Sequence, residues 1–200
     1  MKTERVEAFS DGVFAVAITL LVLDLAPTTI SGGLLTALAD RWPNFAAFAL
    51  SFVIIGIVWV NHHALLGTVR LVDRPLLFLN LFLLMSVVLI PFSTSLFARY
   101  LVRGGGDSHL AAAVFSGSAL LMAVGFALVH GWISRHPDLW RAQGEHATVG
   151  SRLRFALGIV VYAAAIGISF VSAIAVFFIQ LATAAYYVVD QLAGAAPAES

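Results

Sequence analysis

The side chains able to do chemistry in this sequence are few, and they interrupt runs that are otherwise apolar. Arg5, Ser10 and Asp11 stand at the head of the first run, Trp59, Asn61, His62 and His63 near the end of the second, and Asn80 near the start of the third. A carboxylate, two imidazoles and two amides raise three chemistries: metal ligation, acid–base hydrolysis and proton carriage. Adjacent helical residues diverge by about 100°, so His62 and His63 do not turn readily to one ion. No Cys and no HExxH pattern accompanies them, so no metal site is expected beyond a permeating ion. Nothing resembles GxSxG, and no acid pair is evident, which argues against an enzyme. A buried polar network remains, with a proton-coupled carrier using Asp11 and a His as the alternative.

The elements that position these groups follow from composition. The 200 residues are 60% hydrophobic and 11% charged, with a mean hydropathy of +0.96, whereas soluble domains carry roughly 25% charged residues. The chain therefore reads as all-α and polytopic, embedded in a lipid bilayer. Eleven basic and eleven acidic residues cancel, which leaves no electrostatic case for nucleic acid as a partner. A signal peptide is disfavoured at the N-terminus because Asp11 breaks the apolar run and Pro27 follows Ala26.

Six membrane helices are expected as one domain, over residues 5–26, 44–67, 75–98, 109–133, 152–169 and 172–190. Pro27 opens a loop to Pro43, Pro75 suits a first helical turn, and Ser169–Ser172 suits the last turn between helices. Pro91 should kink or end the third helix, with Ser93, Thr94 and Ser95 placed to satisfy freed carbonyls. Basic residues set the orientation: Lys2, Arg5, Arg70, Arg74, Arg135, Arg141, Arg152 and Arg154 fall on one side, against Arg41, Arg99 and Arg103 on the other. Both termini are therefore expected to be cytoplasmic.

That topology brings the polar groups to one level. Asp11 stands about 8 Å into the first helix at 1.5 Å per residue. The second helix runs inward and ends near Trp59, His62 and His63, while the third starts just before Asn80. Because ionisable groups inside a membrane are costly and usually paired, a network is expected to join Arg5, Ser10 and Asp11 to a helix-two His and Asn80. Trp59 also suits an interfacial anchor. The first helix carries a second pattern: Gly12, Val16, Thr19, Leu20 and Leu23 share a stripe roughly 100° wide, extended by Arg5 and Phe9. Asp11 lies about 140° from Val16, and Ile18 about 160°, so Ile18 is expected to face outward from that stripe. On periodicity alone, a stripe of small and branched residues is a packing seam.

The same residues carry a resemblance. Arg5-x-x-x-Phe9-Ser10-Asp11 resembles the RxxxFSD signature of the transmembrane protein 175 family of potassium-permeable channels. Gly56-Ile-Val-Trp59-Val-Asn61-His62-His63 is similar to the family's second helix and the stretch from Asn80 through Pro91 to Thr94 to its third. The likeness is close to about residue 98 and looser beyond. It implies a homotetramer of six-helix subunits in a cytoplasmic membrane, passing K+ without a cofactor, with the first helix lining a pore on a four-fold axis. Eukaryotic relatives carry two such units per chain. By offset from the motif, the constricting positions are Val16, Leu20 and Leu23, with Thr19 beside them. Val16 stands where relatives usually place Ile or Leu, which trims the narrowest ring. The resemblance also assigns Phe9, Ser10 and Asp11 to the network that holds the first helix.

Overall fold

The computed structural model describes residues 1–25, 33–141 and 149–194, and within the last stretch the side chains of 156–192. Pro27 and the side chains of Arg152 and Arg154 lie outside the described residues. The described residues form α1 (Thr3–Leu20), a 3-10 continuation (Leu21–Asp24), α2 (Leu34–Ala39), α3 (Trp42–Gly67), α4 (Arg74–Tyr100), α5 (Gly105–Arg135), α6 (Val149–Ser169) and α7 (Ala173–Gly194), with a short 3-10 turn at Pro137–Leu139. Five of these are long and apolar enough to cross a membrane: α1 with its continuation, α3, α4, α5 and α7. In α6 the described side chains form a shorter apolar stretch, Ala156–Ser169. The chain is a helical, multi-pass membrane protein.

The expected boundaries and the observed ones differ for local reasons. The loop before Pro43 holds α2, and Pro43 then occupies the first turn of α3, where its missing N–H costs nothing. Asp73 starts α4 by accepting from the Leu76 N–H at 2.9 Å, and its second oxygen takes the Trp132 indole N–H at 3.1 Å. Pro91 does not end α4, which continues to Tyr100. Ser93 and Thr94 donate to the Ile90 carbonyl at 3.0 and 2.7 Å rather than to the Val87 carbonyl that the proline leaves free. Thr94 also pairs with Ser51 of α3 at 2.7 Å, so the polar residues after Pro91 join two helices. Gly104 and Gly105, at φ 70° and 74°, make the reversal into α5 that a side chain would strain. The chain passes from α6 to α7 between Ser169 and Ala173, where the Ser172 hydroxyl accepts from the Ala175 N–H.

Helices α4 and α5 approach closely at Gly125, where a Cβ would stand 3.0 Å from the Leu83 Cα. Further along the same two helices, Phe97 and Phe115 stack at 4.8 Å between centroids. Helix α1 is laid against α3 and α4 through one stripe: Val6, Ser10, Phe14, Ala17 and Leu21 are buried at helical spacing.

Candidate pore helix and its polar anchors

Helix α1 has two faces of opposite character. The buried stripe packs on the subunit, with Phe14 against the His62 ring at 5.3 Å. The other face turns Gly12, Val16, Thr19, Leu20 and Leu23 away from it; Val16 is 56% exposed, Leu20 40% and Leu23 70%. The stripe is therefore no packing seam within the subunit. Ile18 is not the outward position expected, since it is half-buried and packs against the core. The exposed Thr19 hydroxyl donates to the Val16 carbonyl at 2.9 Å, and its oxygen accepts no hydrogen bond among the described residues.

The polar groups expected to form one network form two. In the first, the buried His62 Nε2–H donates to Asn80 Oδ1 at 2.7 Å, and Asn80 Nδ2 donates to the buried Ser10 hydroxyl at 3.0 Å. Because the Asn80 amide gives its N–H to Ser10, its oxygen must accept, and this fixes the proton on His62 Nε2. The chain of bonds ties α1, α3 and α4 at one level. In the second, Trp59 Nε1 donates to Asp11 Oδ1 at 2.8 Å. Asp11 is therefore held by an indole, with neither histidine as its hydrogen-bond partner, and Trp59 does more than anchor at an interface. His62 and His63 diverge as their adjacency requires: one is buried, the other exposed beside Trp59. Arg5 and Phe9 stand outside both networks. Among the described residues Arg5 makes no hydrogen bond or ion pair, and Phe9 is 56% exposed; both line a cleft with Arg74 and Phe78.

Sequence reasoning missed a third anchor. At the far end of α1 the Asp24 carbonyl accepts from Arg41 Nη2 at 2.6 Å and from Asn44 Nδ2 at 3.4 Å, while its carboxylate meets Arg99 Nη2 at 3.1 Å. The signal was present: an acid closing an apolar run, and two of the three arginines that the expected topology places at the same end of the helices. At the opposite end, Thr3 donates to the Val69 carbonyl at 3.0 Å and Lys2 bridges Leu71, so the connection from α3 to α4 grips the start of α1.

Helices of this length, with α1 tied to α3 and α4 through Ser10, Asn80 and His62, define a polytopic helical membrane protein. The family model described as "Endosomal/lysosomal potassium channel TMEM175" matches residues 5–91, the stretch holding α1, α3 and most of α4. A protein of Streptomyces collinus named a potassium channel is 46% identical over 172 residues, covering 84% of this chain and 83% of its own. The human endosomal/lysosomal proton channel TMEM175 is 33% identical over 172 residues, 76% of this chain and 33% of that protein. The crystal structure of a lysosomal potassium-selective channel TMEM175 homolog from Chamaesiphon minutus superposes with a TM-score of 0.80 at 34% identity, covering 94% of this chain and 97% of that one. The chain belongs to the TMEM175 family.

Proposed function

We propose that this chain is one subunit of a passive potassium-permeable channel, with four copies around a central axis and α1 of each lining the pore. The observation that carries this reading is the division of α1: its buried stripe is spent on α3 and α4, and its apolar stripe is left facing away from the subunit. Rings of Val16, Leu20 and Leu23 would form a dehydrated barrier, and Thr19 would give passing K+ an oxygen contact. Identical subunits around one axis close by rotation. The excess of basic residues on one side favours cytoplasmic termini in a cytoplasmic membrane. The carrier reading is not favoured, since Asp11 bonds to Trp59 and His62 to Asn80, with no hydrogen bond joining the acid to either histidine.

Single-channel recording in a planar bilayer under opposed K+ and Na+ gradients tests the proposal. Stepwise currents reversing toward the K+ potential are expected; saturable flux coupled to a proton gradient would reinstate the carrier. Mass measurement in detergent should give four copies, and a monomer with full transport would sink the channel reading.

A further inference from the structure

The pore helix changes type before it ends. From Leu21 to Asp24 it is a 3-10 helix, closed by the Leu25 N–H on the Val22 carbonyl at 3.0 Å. In an α-helix, residues three apart are offset by about 60° and rise about 4.5 Å. In a 3-10 helix they eclipse and rise about 6 Å. The tighter winding therefore carries Leu23 round to stand over Leu20, on the exposed face and one full step further out. Short turns of this kind are common at helix ends, but their hydrogen-bond geometry is poorer than an α-helix's, so their neighbours can set how firmly they hold.

What holds the turn is outside it. The Asp24 carbonyl, one of the acceptors a helix end leaves without an internal partner, takes the Arg41 and Asn44 donors. The Asp24 carboxylate takes Arg99 from the last turn of α4. The Arg41 side chain is drawn inward to place one guanidinium nitrogen on Asp24, and its Nε is left buried with no partner among the described residues. We infer that Arg41 and Arg99 are positioning residues for the outermost ring of the constriction, pinning Asp24 so that the last turn stays 3-10 and Leu23 stays stacked on Leu20. This rests on α1 lining the pore, as proposed above.

The chain has no Cys, so Leu23→Cys supplies a lone thiol. Its modification by a charged, membrane-impermeant thiol reagent is followed in liposomes along with K+ flux and the K+/Na+ reversal potential. Block of flux by the reagent is the expected result; modification without block overturns pore lining itself. In the native background, Arg41→Met should raise flux about tenfold and lower K+ preference, and Arg99→Met, which breaks a more exposed pair, about threefold. Combined with Leu23→Cys, each should also change the rate at which the introduced thiol is modified. Arg41→Lys retains a donor and should restore most of the native behaviour, as should the reversed pair Asp24→Arg with Arg99→Asp relative to either single change. Arg103→Met is the control, because Arg103 lies over the Tyr100 ring at 5.0 Å and touches none of these groups. If Arg41→Met and Arg99→Met lower the melting temperature yet leave flux, ion preference and thiol reactivity unchanged, the arginines are structural only and the inference fails while the pore reading stands.

Discussion

The two faces of α1 use similar residues for opposite ends. On the buried face, Val6, Phe14, Ala17 and Leu21 are apolar, and both hydroxyls bond to other helices or their connections, Thr3 to Val69 and Ser10 to Asn80. On the exposed face, Val16, Leu20 and Leu23 are equally apolar and the one hydroxyl, Thr19, is bonded back to its own helix. Composition does not separate them. The difference lies in where the hydroxyl's capacity goes: Ser10 joins a bonded chain that crosses three helices, whereas the exposed Thr19 oxygen accepts no bond among the described residues. A polar group that binds helices together belongs to folding, and one that keeps its oxygen open is available to an ion. Substitutions on one face should therefore register as stability and on the other as flux.

The largest effect tests that division directly. Phe14→Ala removes a fully buried ring beside His62 and should cost about 3–5 kcal/mol, read as a lowered melting temperature and a reduced yield of folded protein in detergent. Asn80→Ala strands the His62 N–H and the Ser10 hydroxyl together and should cost about 2–3 kcal/mol in the same assay. If either variant assembles normally but leaks, the buried face is part of the pore and the comparison collapses.

Val16→Asn and Leu20→Asn make the opposite demand. In the proposed pore each gives water a partner in an apolar ring and should raise ion flux from loaded liposomes at least about tenfold while K+ preference falls, with assembly intact. Leu20→Met keeps the ring apolar and should change flux little. The outward control cannot be Ile18, which packs against the core; Val160 of α6, 64% exposed, serves instead, and Val160→Ser should leave flux unchanged. A leak in Val160→Ser with none in Val16→Asn would move the pore off α1.

The smallest expected effect sharpens the boundary between the faces. A buried ion pair at Asp11 would make Asp11→Asn cost about 3–5 kcal/mol. Its partner is the Trp59 indole, and an Asn side-chain oxygen still accepts that N–H, so a loss of about 1 kcal/mol is expected in thermal unfolding.

Much of the arrangement was legible in residue order. Long apolar runs of membrane length, broken by Pro, Gly and charged residues, located the helices, because a bilayer admits few other backbones. Spacing near 100° per residue placed Val16, Leu20 and Leu23 on one side of α1 and separated His62 from His63, since those angles are properties of a single helix. Direction and length brought Ser10, Asn80 and His62 to one depth. What residue order could not supply is the rotation of each helix about its own axis relative to its neighbours. That rotation decided that Phe14 and Ser10 face α3 and α4, that Ile18 packs inward, and that Asp11 meets Trp59 while Arg5 meets no polar partner among the described residues. It also decided the 3-10 turn at Leu21–Asp24, whose winding depends on Arg41, Asn44 and Arg99, residues brought to Asp24 from separate parts of the chain. Periodicity is local, whereas a hydrogen bond between helices needs two rotations and a depth to agree, and only the packed bundle determines all three.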